Sequence, residues 1–171
     1  VMPPKIAPTQ VMIIPIRQEE NVLTACEKIQ DSLKDSFRVK TDLTDKRPGW
    51  KFSEQEMRGI PIRIELGPKD LEAGVCVIVR RDTREKITVS LDEVSTKVPE
   101  ILEAIQKNMF DRAKAHLDAH ISDAHNYEEF CDAVENKPGF IRGMWCGDVA
   151  CEEKIKEDTT ATSRCIPFGE H

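Results

Sequence analysis

Cys146 and Cys151 come nearest to a metal-ligating pattern in this chain: two thiols, with four residues between them, in a polar stretch that contains Gly147. A structural Zn²⁺ takes four tetrahedral sulfur or nitrogen ligands. These two thiols leave such a site incomplete. His171 is a conceivable third ligand, but chain ends are usually disordered. Cys26 falls on the apolar stripe of a predicted helix and Cys76 in an apolar strand, so both are expected in the core. With no secretion signal, the six cysteines are not expected to form a disulfide framework. His116 and His120 stand four apart and His125 follows, yet no acidic residue or cysteine completes a metal or catalytic pattern with them. A solvated helix face is the expectation there. No Gly-Lys-Ser/Thr phosphate loop and no GxSxG nucleophile turn is present.

The 171 residues provide for one domain of about 100 residues plus a small appendage. Hydrophobic residues make up 39% and charged residues 33%, with the apolar ones in periodic blocks, as in a folded chain. No run approaches the roughly 18 apolar residues that span a membrane, and no signal segment opens the chain, so a membrane is not an expected partner. The first residue is Val1, which predicts a piece of a longer protein. A net charge of −6 argues against indiscriminate nucleic-acid binding but allows a local basic patch.

The hydrophobic pattern predicts the elements that must position any site. Residues 1–10 carry three prolines and read as a linker. The apolar run 11–16 (VMIIPI) predicts a strand buried on both faces. Val22, Cys26, Ile29 and Leu33 predict a helix over 19–36, and 37–40 a short strand, which opens a βαβ unit. Residues 42–49 read as a polar loop, with Asp42, Asp45, Lys46 and Arg47 solvated and Trp50 as a packing anchor. Lys46 or Arg47 could meet a phosphate there. Ser53 and Glu56 suggest a capping box for a helix over 53–58, stopped by Gly59. Strands are predicted over 60–66, 75–80 and 87–91, with a turn at Gly67-Pro68 and a charged hairpin over 81–86. A long amphipathic helix is expected over 98–121. Beyond it come a helix over 127–134, a strand over 140–145, a helix over 149–157 and a last strand over 161–168. The domain organisation is therefore a linker over 1–10, a main domain over 11–98, a connecting helix over 99–125 and a small C-terminal domain over 126–171.

Two segments carry a family likeness. RPGWKFSEQEMRGIPIRIELGPKD spans 47–70, and WCGDVACEEKIKEDTTATSRCIPF spans 145–168. In this order, and with the VMIIPI strand ahead of them, they resemble prolyl-tRNA synthetase of the archaeal/eukaryotic type. The resemblance implies an α/β fold: a class II synthetase anticodon-binding domain with a mixed sheet of about five strands and flanking helices, then a small α+β C-terminal domain. It implies a cytoplasmic, homodimeric proline–tRNA ligase that uses proline, ATP and Mg²⁺ in a catalytic domain N-terminal to this region. None of the arginine-bearing ATP motifs of class II synthetases appears here, so this piece alone is expected to need no cofactor and to be inactive. Four cysteines hold zinc in the family. Cys146 and Cys151 match the first two, the second pair lies beyond the CIPF segment, and Cys165 is not a ligand. Structural zinc is thus expected only if other groups supply the missing ligands. The family's C-terminal tyrosine is also absent.

The partner implied is proline tRNA, whose anticodon ends in two guanines. Reading splayed bases takes stacking surfaces and hydrogen bonds to their edges, and an arginine fork suits guanine. By resemblance the anticodon-binding residues are Phe52, Glu56, Arg63, Lys69 and Asp70, with Lys86 alongside; Phe52 is the stacking candidate. A reading of another class is a stand-alone interaction domain that reuses the anticodon-binding fold.

Overall fold

The computed structural model describes residues 1–166 and 168. Two compact units divide the chain, Val1–Arg112 and Ala113–His171.

Unit 1 is built on a mixed five-stranded sheet of order β2-β1-β3-β4-β5. The strands are β1 (Val11–Pro15), β2 (Val39–Thr41), β3 (Ile62–Leu66), β4 (Val75–Arg80) and β5 (Lys86–Ser90). β1 pairs in parallel with β2 and β3, while β3–β4 and β4–β5 are antiparallel. The helices are α1 (Glu20–Leu33), α2 (Pro48–Met57), the short α3 (Pro68–Glu72) and α4 (Val94–Ala119), whose last residues, from Ala113, belong to unit 2. One sheet face presents Val11, Ile13, Ile62, Ile64, Leu66, Cys76 and Ile78 to the apolar stripes of α1 and α4, and this is the main core. The other face carries a smaller cluster of Met12, Ile14 and Ile60, with Phe52 of α2 against it. The α/β expectation of about five strands with flanking helices holds.

Helix α2 begins five residues before the sequence suggests. Pro48 opens it, where the missing N–H costs nothing. Ser53 and Glu56 therefore lie inside the helix and form no capping box; the Ser53 hydroxyl donates to the Gly49 carbonyl at 3.2 Å. Gly59 ends the helix with φ +72, as expected, and a Cβ there would come within 2.9 Å of Met2 Cγ. Gly67-Pro68 is the start of α3 as well as a turn, with Asp70 Oδ2 accepting from the Gly67 N–H at 2.9 Å. The first ten residues are held to unit 1: the Arg38 guanidinium donates to the carbonyls of Pro4, Lys5 and Ala7, and Met2 N–H donates to Gly59 O.

Unit 2 holds β6 (Ile121–Ala124), α5 (Tyr127–Asn136), β7 (Phe140–Gly143) and α6 (Val149–Thr159). β6 and β7 pair in parallel, with α5 as their crossover. β6 is absent from the sequence reading, because four residues with only Ile121 and Ala124 apolar give little alternation. The strand expected over 161–168 is not formed over 161–166, and residues 167 and 169–171 lie outside the described ones. Thr160 turns out of α6 with φ +61. Among the described residues, no helix is long and apolar enough to cross a membrane.

Candidate nucleic-acid interface

On the sheet face opposite the main core, strand register lines up Arg63, Val79 and Lys86 across β3, β4 and β5, with Glu65, Val77 and Thr88 beside them. The end of α2 borders this surface. Together they make a cleft of about 180 Å³ lined by Gln55, Glu56, Arg63, Arg81, Arg84 and Lys86, among others.

Arg63 is the fixed point of the cleft. Its Nε donates to Glu65 Oε1 at 2.8 Å and its Nη1 to Glu56 Oε1 at 3.3 Å. Its guanidinium carbon lies 4.2 Å from the centre of the Phe52 ring. With the side chain only 11% exposed, Arg63 is not a solvated strand residue. Lys86 Nζ stands 3.9 Å from Glu65 Oε2, so Glu65 is shared between two cations. The structure thus brings together Phe52, Glu56, Arg63 and Lys86.

Lys69 and Asp70 belong to α3, whose Leu71 packs with the main core. Among the described residues no hydrogen bond or ion pair links them to Arg63. Asp70 is occupied in holding the Gly67 N–H, and Lys69 is exposed.

The hairpin beyond β4 has its own internal brace. The side chain of Asp82 is 1% exposed. It accepts from Arg80 Nη2 at 2.8 Å and from Asn108 Nδ2 of α4 at 2.7 Å. Burial pushes the Asp82 carboxyl up, but the hydrogen bonds from Arg80 and Asn108 outweigh it and hold the group below the usual carboxylate range. The same pair raises Arg80. Arg84 takes φ +63 in the exposed turn.

Beneath α2 lies a buried polar network that sequence reasoning missed. Asp42, expected to be solvated, is 8% exposed and Lys51 is 2%. Lys51 Nζ donates to the Asp42 carbonyl at 3.0 Å and stands 3.9 Å from its carboxylate. Gln55 Nε2 donates to Asp42 Oδ2 at 3.2 Å, and the Thr44 hydroxyl donates to Oδ1 at 2.6 Å. Burial pushes Asp42 up, and the Thr44, Lys51 and Gln55 contacts together bring it below the usual range. The signal for this network was the amphipathic phase of α2, which an N-terminus at Pro48 would have placed correctly. Trp50 is not a packing anchor: it is 45% exposed, with Lys46 Nζ 3.0 Å from the centre of its ring.

Cys26 and Cys76 are buried as expected, and burial raises both thiols to about 11. Cys146 and Cys151 are exposed at the start of α6. A backbone N–H at Asp148, then the Cys151 thiol, lowers Cys146; the hydrogen bond with Cys146 raises Cys151. Among the described residues, no group of three or more His, Cys, Asp or Glu could hold a metal ion, so the donor set does not fit four-coordinate zinc. His171 lies outside the described residues. His116 and His120 are exposed, their rings 4.2 Å apart, and His125 is exposed too.

This mixed sheet with its flanking helices places the chain in the anticodon-binding domain family, whose model matches residues 10–101. Residues 127–171 match a second model, described as prolyl-tRNA synthetase, C-terminal. Among similar curated proteins is a proline–tRNA ligase of Agathobacter rectalis, 64% identical over 171 residues, covering 99% of this chain and 36% of that protein. One of Clostridium botulinum is 56% identical over 168 residues, covering 98% and 35%. The chain thus spans about a third of the length of the curated relatives it matches. In the solved structures, prolyl-tRNA synthetase from Cryptosporidium parvum complexed with L-proline and AMP superposes with a TM-score of 0.90 at 35% identity, covering 98% of this chain and 38% of that one.

Proposed function

We propose that unit 1 reads the anticodon of proline tRNA on behalf of a proline–tRNA ligase. The observation that carries this is Arg63, a guanidinium held in place by Glu56, Glu65 and the Phe52 ring at the wall of an arginine-lined cleft. A fork fixed before the RNA arrives loses little freedom on binding, and its donors match the O6 and N7 acceptors of guanine. Glu56 can accept from a base N–H. Phe52 supports the guanidinium, and a base stacks on the guanidinium plane. Lys86 adds positive charge at the rim, while Lys69 and Asp70, on α3, would meet a neighbouring nucleotide or the backbone. The longer protein attaches proline to that tRNA with ATP and Mg²⁺, works as a dimer in the cytoplasm, and performs the chemistry outside this chain.

The test compares binding of proline tRNA with that of a tRNA whose two anticodon guanines are replaced, using the full-length enzyme. Arg63→Ala is expected to cost about 1–3 kcal/mol and to flatten the preference, because base contacts carry sequence information. Lys46→Ala is expected to weaken both tRNAs alike. An Arg63→Ala protein that is folded, by circular dichroism, and discriminates as well as the parent would refute the assignment.

A further inference from the structure

Two buried polar atoms of unit 1 lack a hydrogen-bond partner, Gln55 Oε1 and Arg81 Nε, and both residues line the same cleft. Gln55 is 4% exposed. Its amide has one workable orientation. Nε2 donates to the Asp42 carboxylate, and turning the amide over would set oxygen against that carboxylate. Asp42 is itself held by Lys51 and Thr44, so the Gln55 amide is fixed with its oxygen as an acceptor, and none of these groups donates to it. Folded chains seldom leave such an atom unpaired, and the exceptions call for an explanation. No neighbouring cation donates to it in this structure, where Arg63 bonds Glu56 and Glu65 and Arg80 bonds Asp82.

We propose that Gln55 is a specificity-determining residue of this cleft, whose Oε1 accepts a hydrogen bond from the exocyclic 2-amino group of a guanine while Arg81 Nε donates to the same nucleotide. This rests on the cleft being the anticodon site. Guanine is the base that offers an acceptor pair to a guanidinium and an amino donor besides. Both atoms are buried in the unliganded cleft, so their side chains must shift as the nucleotide enters, and a hydrogen bond then made to them is shielded from bulk water.

Inosine lacks only the 2-amino group, so the test uses 17-nucleotide stem-loops carrying the proline anticodon with inosine at one guanine or the other. Binding to the 171-residue chain is followed by fluorescence anisotropy. One inosine is expected to weaken binding to the parent chain about tenfold, and that penalty is expected to vanish in Gln55→Met. Gln55→Asn, which withdraws the oxygen by one methylene, is a second variant expected to lose the penalty. If neither inosine weakens binding to the parent chain, or if the penalty persists in either folded variant, Gln55 does not read the amino group. A parent chain that fails to distinguish the proline loop from one with both guanines replaced by adenine overturns the anticodon reading, and this proposal with it. Discrimination that is lost in Arg63→Ala, without any inosine effect, overturns the role of Gln55 alone.

Discussion

The core of unit 1 draws on every strand of its sheet and on α1 and α4, whereas the buried hydrophobic residues of unit 2, among those described, are Ala124 and Ala133. The helix ends show the same contrast in reverse. Neither α1 nor α2 has a side-chain cap at its N-terminus; their N-cap residues are Glu19 and Arg47. In unit 2 both α5 and α6 are capped, by Asn126 and Asp148. Apolar packing can fix a helix whose end is poorly capped, because burying one large side chain is worth about 1.5–3 kcal/mol. Where packing is thin, caps and exposed ion pairs such as Arg142–Asp123 must define the local structure at roughly 1 kcal/mol each or less.

Matched deletions put this contrast to the test. Ile64 is fully buried in β3 with Ile13 and Ile78 as its cross-strand neighbours. Ile64→Ala is expected to destabilise unit 1 by about 2–5 kcal/mol, through lost transfer energy and the cavity left behind. Val149→Ala removes apolar carbon from a side chain that is 66% exposed and is expected to cost less than about 0.5 kcal/mol. Urea unfolding of both variants gives the two numbers. Comparable losses would mean that unit 2 relies on apolar burial as unit 1 does.

A smaller effect is expected from the buried charge pair of unit 1, and it depends on pH. Asp42→Asn leaves Lys51 buried without its counter-charge, which should cost about 3 kcal/mol at neutral pH. In the parent chain the folded Asp42 carboxyl lies below its ordinary value. Its contribution is therefore complete above the unfolded value of about 3.9 and is lost as pH falls through the folded one. Urea midpoints taken from pH 7 down to pH 3 should show the gap between parent and variant narrowing only below about pH 4. A gap that stays constant down to pH 3 would show that Asp42 acts through shape and not through charge.

How far the sequence could be read follows the same division. The buried face of unit 1 was legible because Val11 to Ile16 and the spacing of Val22, Cys26, Ile29 and Leu33 carry strong periodicity. Arg63, Glu56 and Phe52 are candidates by family likeness, and the structure adds that Arg63 contacts both of the others. Glu65, Gln55 and Arg81 were not, because their part depends on cross-strand register and on the phase of α2, which a start at 53 in place of Pro48 had hidden. In unit 2 the short strand β6 was invisible because Ile121 to Ala124 buries little and so leaves a weak pattern.

The smallest expected effect concerns the caps themselves. Asn126 Oδ1 accepts from the Glu129 N–H at 2.9 Å, while the Glu129 carboxylate accepts from the Asn126 amide at 2.8 Å and from the His125 N–H at 2.9 Å. The N3 amide of α5 is thus satisfied by the N-cap side chain, and the N3 carboxylate reaches back to the N-cap side chain and to the residue before it, a variant of the capping box. Asn126→Ala removes the acceptor and should cost about 1 kcal/mol. In unit 1, Glu19→Ala removes a side chain that makes no cap bond to α1 and should cost less than about 0.5 kcal/mol. Amide hydrogen exchange resolves the two locally. In Asn126→Ala, the amides of Tyr127 to Asn136 should exchange about fivefold faster, while α1 amides in Glu19→Ala stay within twofold of the parent. If the α5 amides of Asn126→Ala keep their protection, packing already holds that helix, and the division between a packed unit and a capped one does not stand.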